Sequence, residues 1–380
     1  MVNGPRVLHV IDSLRIGGAE ALLDAIVREL RRSGRSWNAV CVPGSDDADP
    51  GLVASVLEHA DAFRWLPSGP LYDPRLPYAL GRALRSFRID LVHSHLSTAN
   101  ISSRAAAVAL RRPHMTTIHT VSGPAAEDTR LRATADGWSS WLSRRLVAPS
   151  AEVAAAFRES FHLPRARFRV IPNGPAAEPP PPGFDRERFR REIAGEGVGR
   201  LIVTVARLQP EKAIDDLLAA AVRLRDRVPG LRIAVAGSGP EEEALRGQLE
   251  RSGLSESVFL LGSRSDVGLL LGAADVFCLP SRHEGLPVSL LEAMQAGLAC
   301  VTTRVGGIPG VISDGVDGLL VGPSDPEALA EALQRVLLDT ELARSLGERA
   351  RAVVDQSYGI GAAAAAYADL YDELAGLAPR

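Results

Sequence analysis

The sequence predicts an α/β protein built from two doubly wound, Rossmann-like domains. The chain has 380 residues, which is too long for one ordinary hydrophobic core. Apolar, strand-like runs alternate with helical patterns, as in parallel sheets covered by helices, and the alternation restarts after a proline-rich segment. Ligands of such sheets bind beside the carboxyl ends of the strands, so candidate site residues are expected there.

The first domain is predicted over residues 1–176. Its strands are predicted in the apolar runs RVLHVIDSL, WNAVCVPG, DLVHSHLS, HMTTIHTV, RLVAPS and RFRVIPNG. Gly17 and Gly18 separate the first run from the helical pattern ALLDAIVRELRRSG. Glycines let a backbone approach a ligand closely and a helix N-terminus favours anions, although a plain tight turn explains the pair equally well. The turn does not match the dinucleotide pattern G-x-G-x-x-G.

A linker is predicted over residues 177–199, and the second domain over residues 200–360. The segment PAAEPPPPGFD cannot lie inside a helix or a sheet because proline lacks the backbone N–H that both need. Strand-like runs then resume as GRLIVTVARL, RIAVAGSGP, VFLLG, ADVFCLPS and ACVTTRV. The chain ends in the helical pattern GIGAAAAAYADLYDEL.

The composition is typical of a soluble globular protein, with 46% hydrophobic and 23% charged residues. No apolar run reaches the roughly 18 residues of a membrane span, and the first residues do not form a signal-peptide pattern. Cys41, Cys278 and Cys300 lie in or beside apolar runs. They are therefore predicted to be buried free thiols, which favours a reducing, cytoplasmic location.

The two halves of the chain differ in charge. Residues 1–176 carry 22 Arg against 16 Asp and Glu, whereas the rest of the chain is acidic and brings the net charge to −3. The excess arginines lie in clusters: Arg28, Arg31, Arg32 and Arg35; Arg82, Arg85 and Arg88; Arg111 and Arg112; Arg144 and Arg145. This pattern predicts contact of the first domain with an anionic membrane surface, unless both surfaces are merely solvated. No nucleic-acid partner is expected.

Two cations follow the first strand of the second domain, in the segment ARLQPEK. Arg207 lies at the strand end and Lys212 five residues later. Of the 43 basic residues only Lys212 is a lysine, which favours a chemical role for its compact charge over a solvated loop. The pair is suited to a diphosphate, because arginine forms bidentate hydrogen bonds and lysine supplies a point charge.

Two carboxylates bracket a turn in the segment SRHEGLPVSLLEA. Glu284 precedes Gly285, Leu286 and Pro287, and Glu292 follows on the predicted helix. Pro287 suits the first helical turn, whose free N–H groups form an anion site. Ionised carboxylates only accept hydrogen bonds, so both glutamates suit the hydroxyls of a sugar and a ribose. The alternative is a helix-dipole carboxylate and a solvated loop residue.

Weaker patterns lie at three other strand ends. Gly237 and Gly239, in AGSGP, either cradle a ribose or base or form a helix-entry turn. His93 and His95 end one strand of the first domain, and His119 ends the next. A strand-end histidine is usually structural, but opposite a sugar-nucleotide it is a candidate for shaping the reactive centre.

In their order along nearly the whole chain, these segments resemble the family 4 retaining glycosyltransferases of the GT-B fold. The match includes GGAE, IPNG, ARLQPEK, AGSGP, SRHEGLPVSLLEA, VGGIPGVI and DGVDGLLV, and the two glutamates eight positions apart are its most specific element. The resemblance implies two domains facing across a cleft, with the donor held by the second and the acceptor by the first. It also implies that the C-terminal helix 361–380 returns to the first domain.

The resemblance also implies roles for single residues. Arg207 and Lys212 would bind the donor diphosphate, Glu284 the sugar hydroxyls and Glu292 the ribose hydroxyls. Gly17 or Gly18 would let the first domain close on the phosphates, and His119 would lie near the reacting carbon. The chain departs from the family pattern at Ala213, where a glycine usually follows the lysine.

The predicted function is therefore metal-independent transfer of a sugar, with retention, from a nucleotide-sugar that is most commonly UDP-linked in similar proteins. The acceptor is a glycan, a glycolipid or a small molecule, and polysaccharide biosynthesis is the expected context. No cofactor is expected. The alternatives are a sugar-nucleotide epimerase or another GT-B enzyme such as a phosphorylase, a non-catalytic sugar-nucleotide-binding partner and, less favoured, a glycosidase that uses the two glutamates.

Overall fold

The computed structural model describes residues 4–44, 48–67, 73–119 and 127–376, with side chains described from residue 131 onward in the last range. The chain divides into two compact units. One comprises Met1–Gly174 together with Ile360–Arg380, and the other comprises Pro175–Gly359.

The first unit is built on a parallel sheet of seven strands in the order β3-β2-β1-β4-β5-β6-β7. The strands are β1 (Arg6–Ile11), β2 (Trp37–Pro43), β3 (Ala62–Leu66), β4 (Leu91–His95), β5 (His114–Thr117), β6 (Arg145–Ala148) and β7 (Phe168–Val170). The connecting helices are α1 (Gly18–Ser33), α2 (Pro50–His59), α3 (Arg75–Ser86), α4 (Ser97–Ala109), α5 (Glu127–Ser139) and α6 (Ala151–Phe161).

The second unit repeats this architecture with six parallel strands in the order β10-β9-β8-β11-β12-β13. The strands are β8 (Arg200–Val205), β9 (Leu231–Ala236), β10 (Val258–Leu260), β11 (Val276–Leu279), β12 (Ala299–Thr303) and β13 (Leu319–Val321). The helices are α7 (Arg186–Ala194), α8 (Ile214–Leu224), α9 (Glu242–Arg251), α10 (Val267–Ala273), α11 (Val288–Gln295), α12 (Pro326–Leu338) and α13 (Thr340–Ser357).

The last helix, α14 (Ile360–Ala375), packs on α1 of the first unit. Tyr367 and Tyr371 are fully buried there although their hydroxyls are polar, which requires hydrogen-bond partners inside the unit. At the surface, Arg35 forms ion pairs with Asp369 and Asp372 of α14, both at 2.9 Å. The helix is thus held by buried tyrosines and by surface charge together.

Part of the predicted linker is a helix. In α7, the side chain of Asp185 caps the N-terminus by accepting from the N–H of Arg188, and Phe189 and Ile193 are buried in the core of the second unit. The buried guanidinium of Arg190 pairs with Asp275 at 3.0 Å. Proline content identifies residues 179–182 as non-helical but carries no information on the amphipathic pattern that follows them.

Each sheet reverses its strand order at one place. In the first unit, β1 lies between β2 and β4; in the second unit, β8 lies between β9 and β11. The connections leave these central strands in opposite directions, so a crevice opens beside their carboxyl ends, where α/β proteins bind ligands. The segments that follow β1 and β4 border the crevice of the first unit, and those that follow β8 and β11 border that of the second.

Candidate active site

In the second unit, the segments after β8 and β11 meet through an ion pair. Lys212 Nζ lies 2.7 Å from Glu284 Oε1, and the hydroxyl of Ser281 donates to the same oxygen at 2.7 Å. Only 3% of the Glu284 side chain and 13% of the Lys212 side chain are exposed. The one lysine of the chain therefore lies at the strand-order reversal and neutralises a nearly buried carboxylate.

Arg282 joins the same two segments and was missed by the sequence analysis. Its backbone N–H donates to the carbonyl of Glu211 at 2.8 Å, and its guanidinium reaches the carbonyl of Pro210 and the carboxylates of Asp215 and Asp216. These bonds hold the 3₁₀ turn Pro210–Lys212 against the β11 segment. The sequence indicated Arg282 only by its position inside the SRHEGLP motif, since its carboxylate partners lie 67 and 66 residues away in the chain.

The turn depends on an uncommon backbone conformation at Ala213. This residue adopts φ 52°, in the left-handed region that glycine favours, and its position in the family pattern is usually a glycine. Ala213 is fully buried and caps the start of α8. The departure noted in the sequence therefore leaves the turn geometry in place, at a cost of about 1 kcal/mol in backbone strain.

Arg207 differs from Lys212 in its surroundings. It is exposed, and its guanidinium makes no ion pair or hydrogen bond with the residues that the structure describes. Its backbone carbonyl accepts from Gln209 N–H at 3.0 Å, within the segment that leads to Lys212. An exposed cation at the carboxyl end of a central strand is open to an anionic ligand.

Gly237 and Gly239 serve the packing of that segment. Gly237 has φ 148°, and a Cβ there would lie 1.8 Å from the carbonyl oxygen of Ala206. A Cβ at Gly239 would lie 2.2 Å from the carbonyl oxygen of Leu208. The segment after β9 thus lies directly against the backbone on both sides of Arg207. The predicted contact of Gly237 and Gly239 with the donor remains a prediction.

The EGLP turn leads into α11, although Pro287 is not in the first helical turn as predicted. Pro287 occupies the N-cap position with extended ψ of 126°, and the helix begins at Val288. Leu286 is buried, and the carbonyl of Gly285 accepts from Gly307 N–H at 2.7 Å. The first N–H groups of an α-helix have no partner within it, so they are available to an anion at this end of α11.

Glu292 lies on α11 with 7% of the residue exposed. Its Oε1 accepts from the backbone N–H groups of Ala176 and Ala177 at 3.2 and 2.9 Å. Burial raises the pKa of this carboxyl, and the two N–H groups act in the opposite direction. Both glutamates were predicted as open acceptors for hydroxyls; in the structure, one oxygen of each already has protein partners.

In the first unit, the segments after β1 and β4 meet at Asp12. Its carboxylate accepts from the N–H groups of Thr98 and Ala99, at 3.2 and 2.5 Å, at the start of α4. Burial raises the pKa of Asp12 to about 6 despite these two hydrogen bonds. No sequence motif indicated a role for Asp12, although the residue directly follows the first strand.

Gly17 is the N-cap of α1, and Gly18 is its first residue. Gly17 has φ −169°, an extended conformation that any residue adopts. A Cβ there would lie 2.5 Å from Oε2 of Glu20, which is the end of a side chain that can move. The glycine is therefore not required by the backbone of this turn. The predicted approach to phosphates remains a prediction.

Five histidines gather in the same unit: His9, His93, His95, His114 and His119. His93 bonds the hydroxyl of Tyr371 through Nδ1 and that of Thr117 through Nε2, both at 2.8 Å. Thr117 in turn bonds the hydroxyl of Tyr367 at 3.1 Å. The buried tyrosines of α14 thus find their partners at the carboxyl ends of β4 and β5.

His119 follows β5 and contacts His95. His95 Nδ1 lies 3.1 Å from His119 Nε2, and the ring centroids are 5.4 Å apart. Burial lowers the pKa of His119 to about 4 and the pKa of His95 well below its usual value. Both imidazoles are therefore neutral near pH 7, and each carries one ring proton.

Ring nitrogens of His9, His93 and His95 lie within 4.8 Å of one another, and no other such group of three His, Cys, Asp or Glu occurs among the described residues. However, His93 already uses both nitrogens, for Tyr371 and Thr117. A metal bound by all three would have to displace one of these buried hydroxyls. Cys41, Cys278 and Cys300 are buried free thiols.

The two units match two family models. Residues 16–176 match the model for Glycosyltransferase Family 4, and residues 185–353 match that for Glycosyl transferases group 1. The glycogen synthase of Mycobacterium tuberculosis (strain ATCC 25618 / H37Rv) is 30% identical over 301 residues, which are 76% of this chain and 69% of that relative. The UDP-Gal:alpha-D-GlcNAc-diphosphoundecaprenol alpha-1,3-galactosyltransferase of Escherichia coli is 29% identical over 275 residues, 70% of each chain.

Among solved structures, Anabaena Alr3699/HepE in complex with UDP-glucose superposes with a TM-score of 0.82 at 22% identity, covering 97% of this chain and all of that one. The chain belongs to family 4 of the glycosyltransferases and has the GT-B fold, as predicted. It is a glycosyltransferase, and the predicted enzyme class is confirmed.

Proposed function

We propose that this enzyme transfers a sugar from a UDP-linked donor to its acceptor with retention of anomeric configuration and without a metal ion. The observation that carries the proposal is the pairing of Lys212 with Glu284, beside exposed Arg207, where the strand order of the second unit reverses. A donor needs cations for its diphosphate and hydrogen-bond acceptors for its hydroxyls, and this region offers both.

Each group has a proposed role in donor binding. Arg207 and Lys212 hold the diphosphate, together with the N–H groups at the start of α11. Glu284 accepts from the sugar hydroxyls through the oxygen not used by Lys212, and Glu292 accepts from the ribose hydroxyls. The protein bonds of both glutamates fix their orientation before the donor arrives, which lowers the entropic cost of binding.

The proposed reaction proceeds on one face of the sugar. The bond between the anomeric carbon and the diphosphate oxygen breaks, and the acceptor oxygen bonds to that carbon from the same side. The acceptor proton passes to the leaving phosphate. Arg207 and Lys212 stabilise the negative charge that develops on the diphosphate, which is the task that a divalent cation performs in other enzymes.

Binding and product analysis test this proposal. UDP-glucose, UDP-galactose and UDP-N-acetylglucosamine are titrated calorimetrically with and without EDTA, against ADP- and GDP-glucose. We expect saturable binding of a UDP-sugar that EDTA leaves unchanged. Proton NMR of the product should show the donor's anomeric configuration. Consumption of the donor without any acceptor would favour the epimerase alternative, and inhibition by EDTA that Mg²⁺ or Mn²⁺ reverses would exclude metal independence.

We also propose that the acceptor is lipid-linked and that the first unit contacts an anionic membrane, at the cytoplasmic face, through α3 and the end of α4. No helix in the described part of the chain is long and apolar enough to cross a membrane. The E. coli relative acts, by its name, on a diphosphoundecaprenol compound. Between residues 74 and 112 the chain carries seven arginines and a single acid, Asp90.

The structure separates the arginine clusters that the sequence grouped together. Arg35 is paired with α14, Arg32 with Glu29, and Arg31 bonds the carbonyls of His59 and Ala60. By contrast, Arg82 and Arg85 are exposed on α3 and make no ion pair with the described residues. They share their helix face with Tyr78, which is 70% exposed and can enter a lipid headgroup layer.

Co-sedimentation with vesicles tests the membrane proposal. We expect binding to vesicles rich in phosphatidylglycerol but not to phosphatidylcholine vesicles, with loss at high salt, because each arginine near an anionic surface contributes about 1 kcal/mol. Arg82→Glu with Arg85→Glu should abolish binding. Arg344→Glu with Arg351→Glu on α13 changes the charge equally and should leave it intact. Equal absence of binding to both vesicle types would favour a soluble acceptor.

A further inference from the structure

The contact between His95 and His119 has two possible proton arrangements. Either His95 carries its proton on Nδ1 and donates to Nε2 of His119, or His119 donates from Nε2 to a bare Nδ1 of His95. In the first arrangement the other nitrogen of His95 is bare and that of His119 carries a proton. In the second arrangement the reverse holds. The surroundings of those two nitrogens therefore decide between them.

The second nitrogen of His95 lies in the interior. Nε2 of His95 is buried and has no hydrogen-bond partner among the described residues. If it carried the proton, a buried N–H donor would have no acceptor, and orphaned buried N–H groups are rarer in proteins than bare acceptors. Nε2 of His95 is therefore the bare nitrogen, and the proton of His95 lies on Nδ1.

In His9, of the same cluster, independent contacts also show that the buried nitrogen without a described partner is the one that lacks the proton. Its Nε2 faces Oδ1 of Asn38 at 3.2 Å, and that amide is oriented because its Nδ2 donates to the carbonyl of Ser36. Nε2 of His9 must then donate, so the bare nitrogen is its Nδ1, which is buried and has no partner in the described part of the chain. Nδ1 of His9 and Nε2 of His95 therefore each carry a lone pair and no proton.

We propose that His95 is a positioning residue that fixes the tautomer of His119, so that His119 accepts at Nε2 and presents an N–H donor at Nδ1. Nδ1 of His119 makes no hydrogen bond with the described residues, and His119 is only partly buried. An N–H there donates to a hydroxyl or phosphate oxygen and has no lone pair with which to remove a proton. His119 is thus an orienting donor and not a general base.

The consequence for catalysis rests on the proposed function and on the resemblance to family 4, which implies that His119 lies near the reacting carbon. A donor at this place orients the transferred sugar by one of its oxygens. The acceptor proton must then leave by another route, which agrees with its transfer to the leaving phosphate. Thr117, tied to Tyr367 and His93, holds the strand end that carries His119.

Three variants separate tautomer control from a purely structural role. His95→Asn keeps an N–H donor close to the place of Nδ1, His95→Leu removes it, and His114→Asn alters another buried histidine of the cluster that has no described contact with His119. Two-bond ¹H–¹⁵N correlation spectra of imidazole-labelled full-length protein at pH 7.5 report which nitrogen is protonated. His119→Gln assigns the resonance.

We expect the Nδ1–H tautomer of His119 in the wild type, His95→Asn and His114→Asn, and the Nε2–H form in His95→Leu. Sugar transfer from whichever UDP-sugar the enzyme binds should fall about tenfold in kcat in His95→Leu with KM unchanged, and should be largely retained in His95→Asn. An Nε2–H signal in the wild type, or an unchanged tautomer in His95→Leu, overturns the proposal. Absence of binding of every UDP-sugar tested contradicts the proposed donor, whereas the tautomer of His119 is measured without any donor and is tested independently.

Discussion

The two units place different chemistry at equivalent points of the same fold. Where the strand order reverses in the first unit, the polar groups are one carboxylate, Asp12, and a cluster of neutral histidines with hydrogen bonds to tyrosine and threonine hydroxyls. At the corresponding point of the second unit, they are charged, with Lys212 paired to Glu284 and Arg282 to Asp215. The first unit thus offers buried neutral hydrogen-bonding groups at this point, and the second unit offers paired charges.

The largest expected difference between the units is their response to acid. Seven of the eight histidines lie in the first unit, and burial lowers the pKa of His9 and His119 to about 4 and the pKa of three others well below the usual value. Below pH 6.5 the unfolded chain binds more protons than the folded unit, so stability present above pH 6.5 is lost as the pH falls. Asp12 acts in the opposite direction, because its folded pKa is raised to about 6.

We expect the first unit to lose on the order of 5 kcal/mol between pH 7 and pH 5, and the second unit much less. All four tryptophans lie in the first unit, so fluorescence follows its unfolding in urea, while circular dichroism follows both units. Exposed His162→Gln serves as a control that keeps the pH dependence. Equal acid sensitivity of both units would contradict this account of the histidine cluster.

The next effect concerns the ion pair of the second unit. Lys212→Ala leaves the nearly buried carboxylate of Glu284 without its cation, and loss of one partner of a buried pair costs about 3 kcal/mol. We therefore expect a lower urea midpoint by circular dichroism together with weaker binding of UDP. The double variant Lys212→Met with Glu284→Gln should recover most of the stability but not the binding. Recovery of both would remove the lysine from the donor site.

Alanine substitutions at two glycines, one in each unit, are expected to differ in their effect on stability. Gly237→Ala combines φ 148° with a Cβ 1.8 Å from a backbone oxygen, so we expect destabilisation of the second unit by about 2–3 kcal/mol. Gly17→Ala meets only the movable end of Glu20 at an ordinary extended backbone, so its cost should stay below about 1 kcal/mol. Thermal unfolding by circular dichroism measures both. A folded, stable Gly17→Ala that no longer binds donor would support the phosphate role of this turn.

The sequence predicted the fold well because strand-helix alternation and proline content act locally. Parallel sheets and doubly wound units follow from those patterns, and the rarity of lysine drew attention to Lys212, which lies in the turn after β8. Residues 186–194 were wrongly assigned to the linker. The prediction followed the nearby proline run, which does not indicate where the next amphipathic helix begins. Local patterns could not predict contacts between residues far apart in the sequence. The hydrogen bonds from Ala176 and Ala177 to Glu292 join residues more than a hundred positions apart, and the bond between His93 and Tyr371 joins residues 278 positions apart.

The smallest effect on stability, and the clearest one on binding, is expected at Arg207. This exposed guanidinium has no partner among the described residues, so Arg207→Ala should change the free energy of unfolding by less than about 0.5 kcal/mol. Loss of a charge-assisted contact with the diphosphate should nevertheless weaken UDP binding by about 1.5–3 kcal/mol. Arg207→Lys should recover part of the affinity, since lysine keeps the charge but not the bidentate geometry.

Calorimetry with UDP and with uridine distinguishes a diphosphate contact from a base contact. Arg207→Ala should weaken UDP binding and leave uridine binding unchanged, whereas Arg223→Ala, an exposed arginine on α8, should change neither. Lys212→Ala lowers affinity and stability together because its carboxylate partner is buried, whereas Arg207→Ala should lower affinity alone. A destabilised Arg207→Ala with unchanged UDP affinity would make Arg207 a structural residue and leave Lys212 as the donor site's cation.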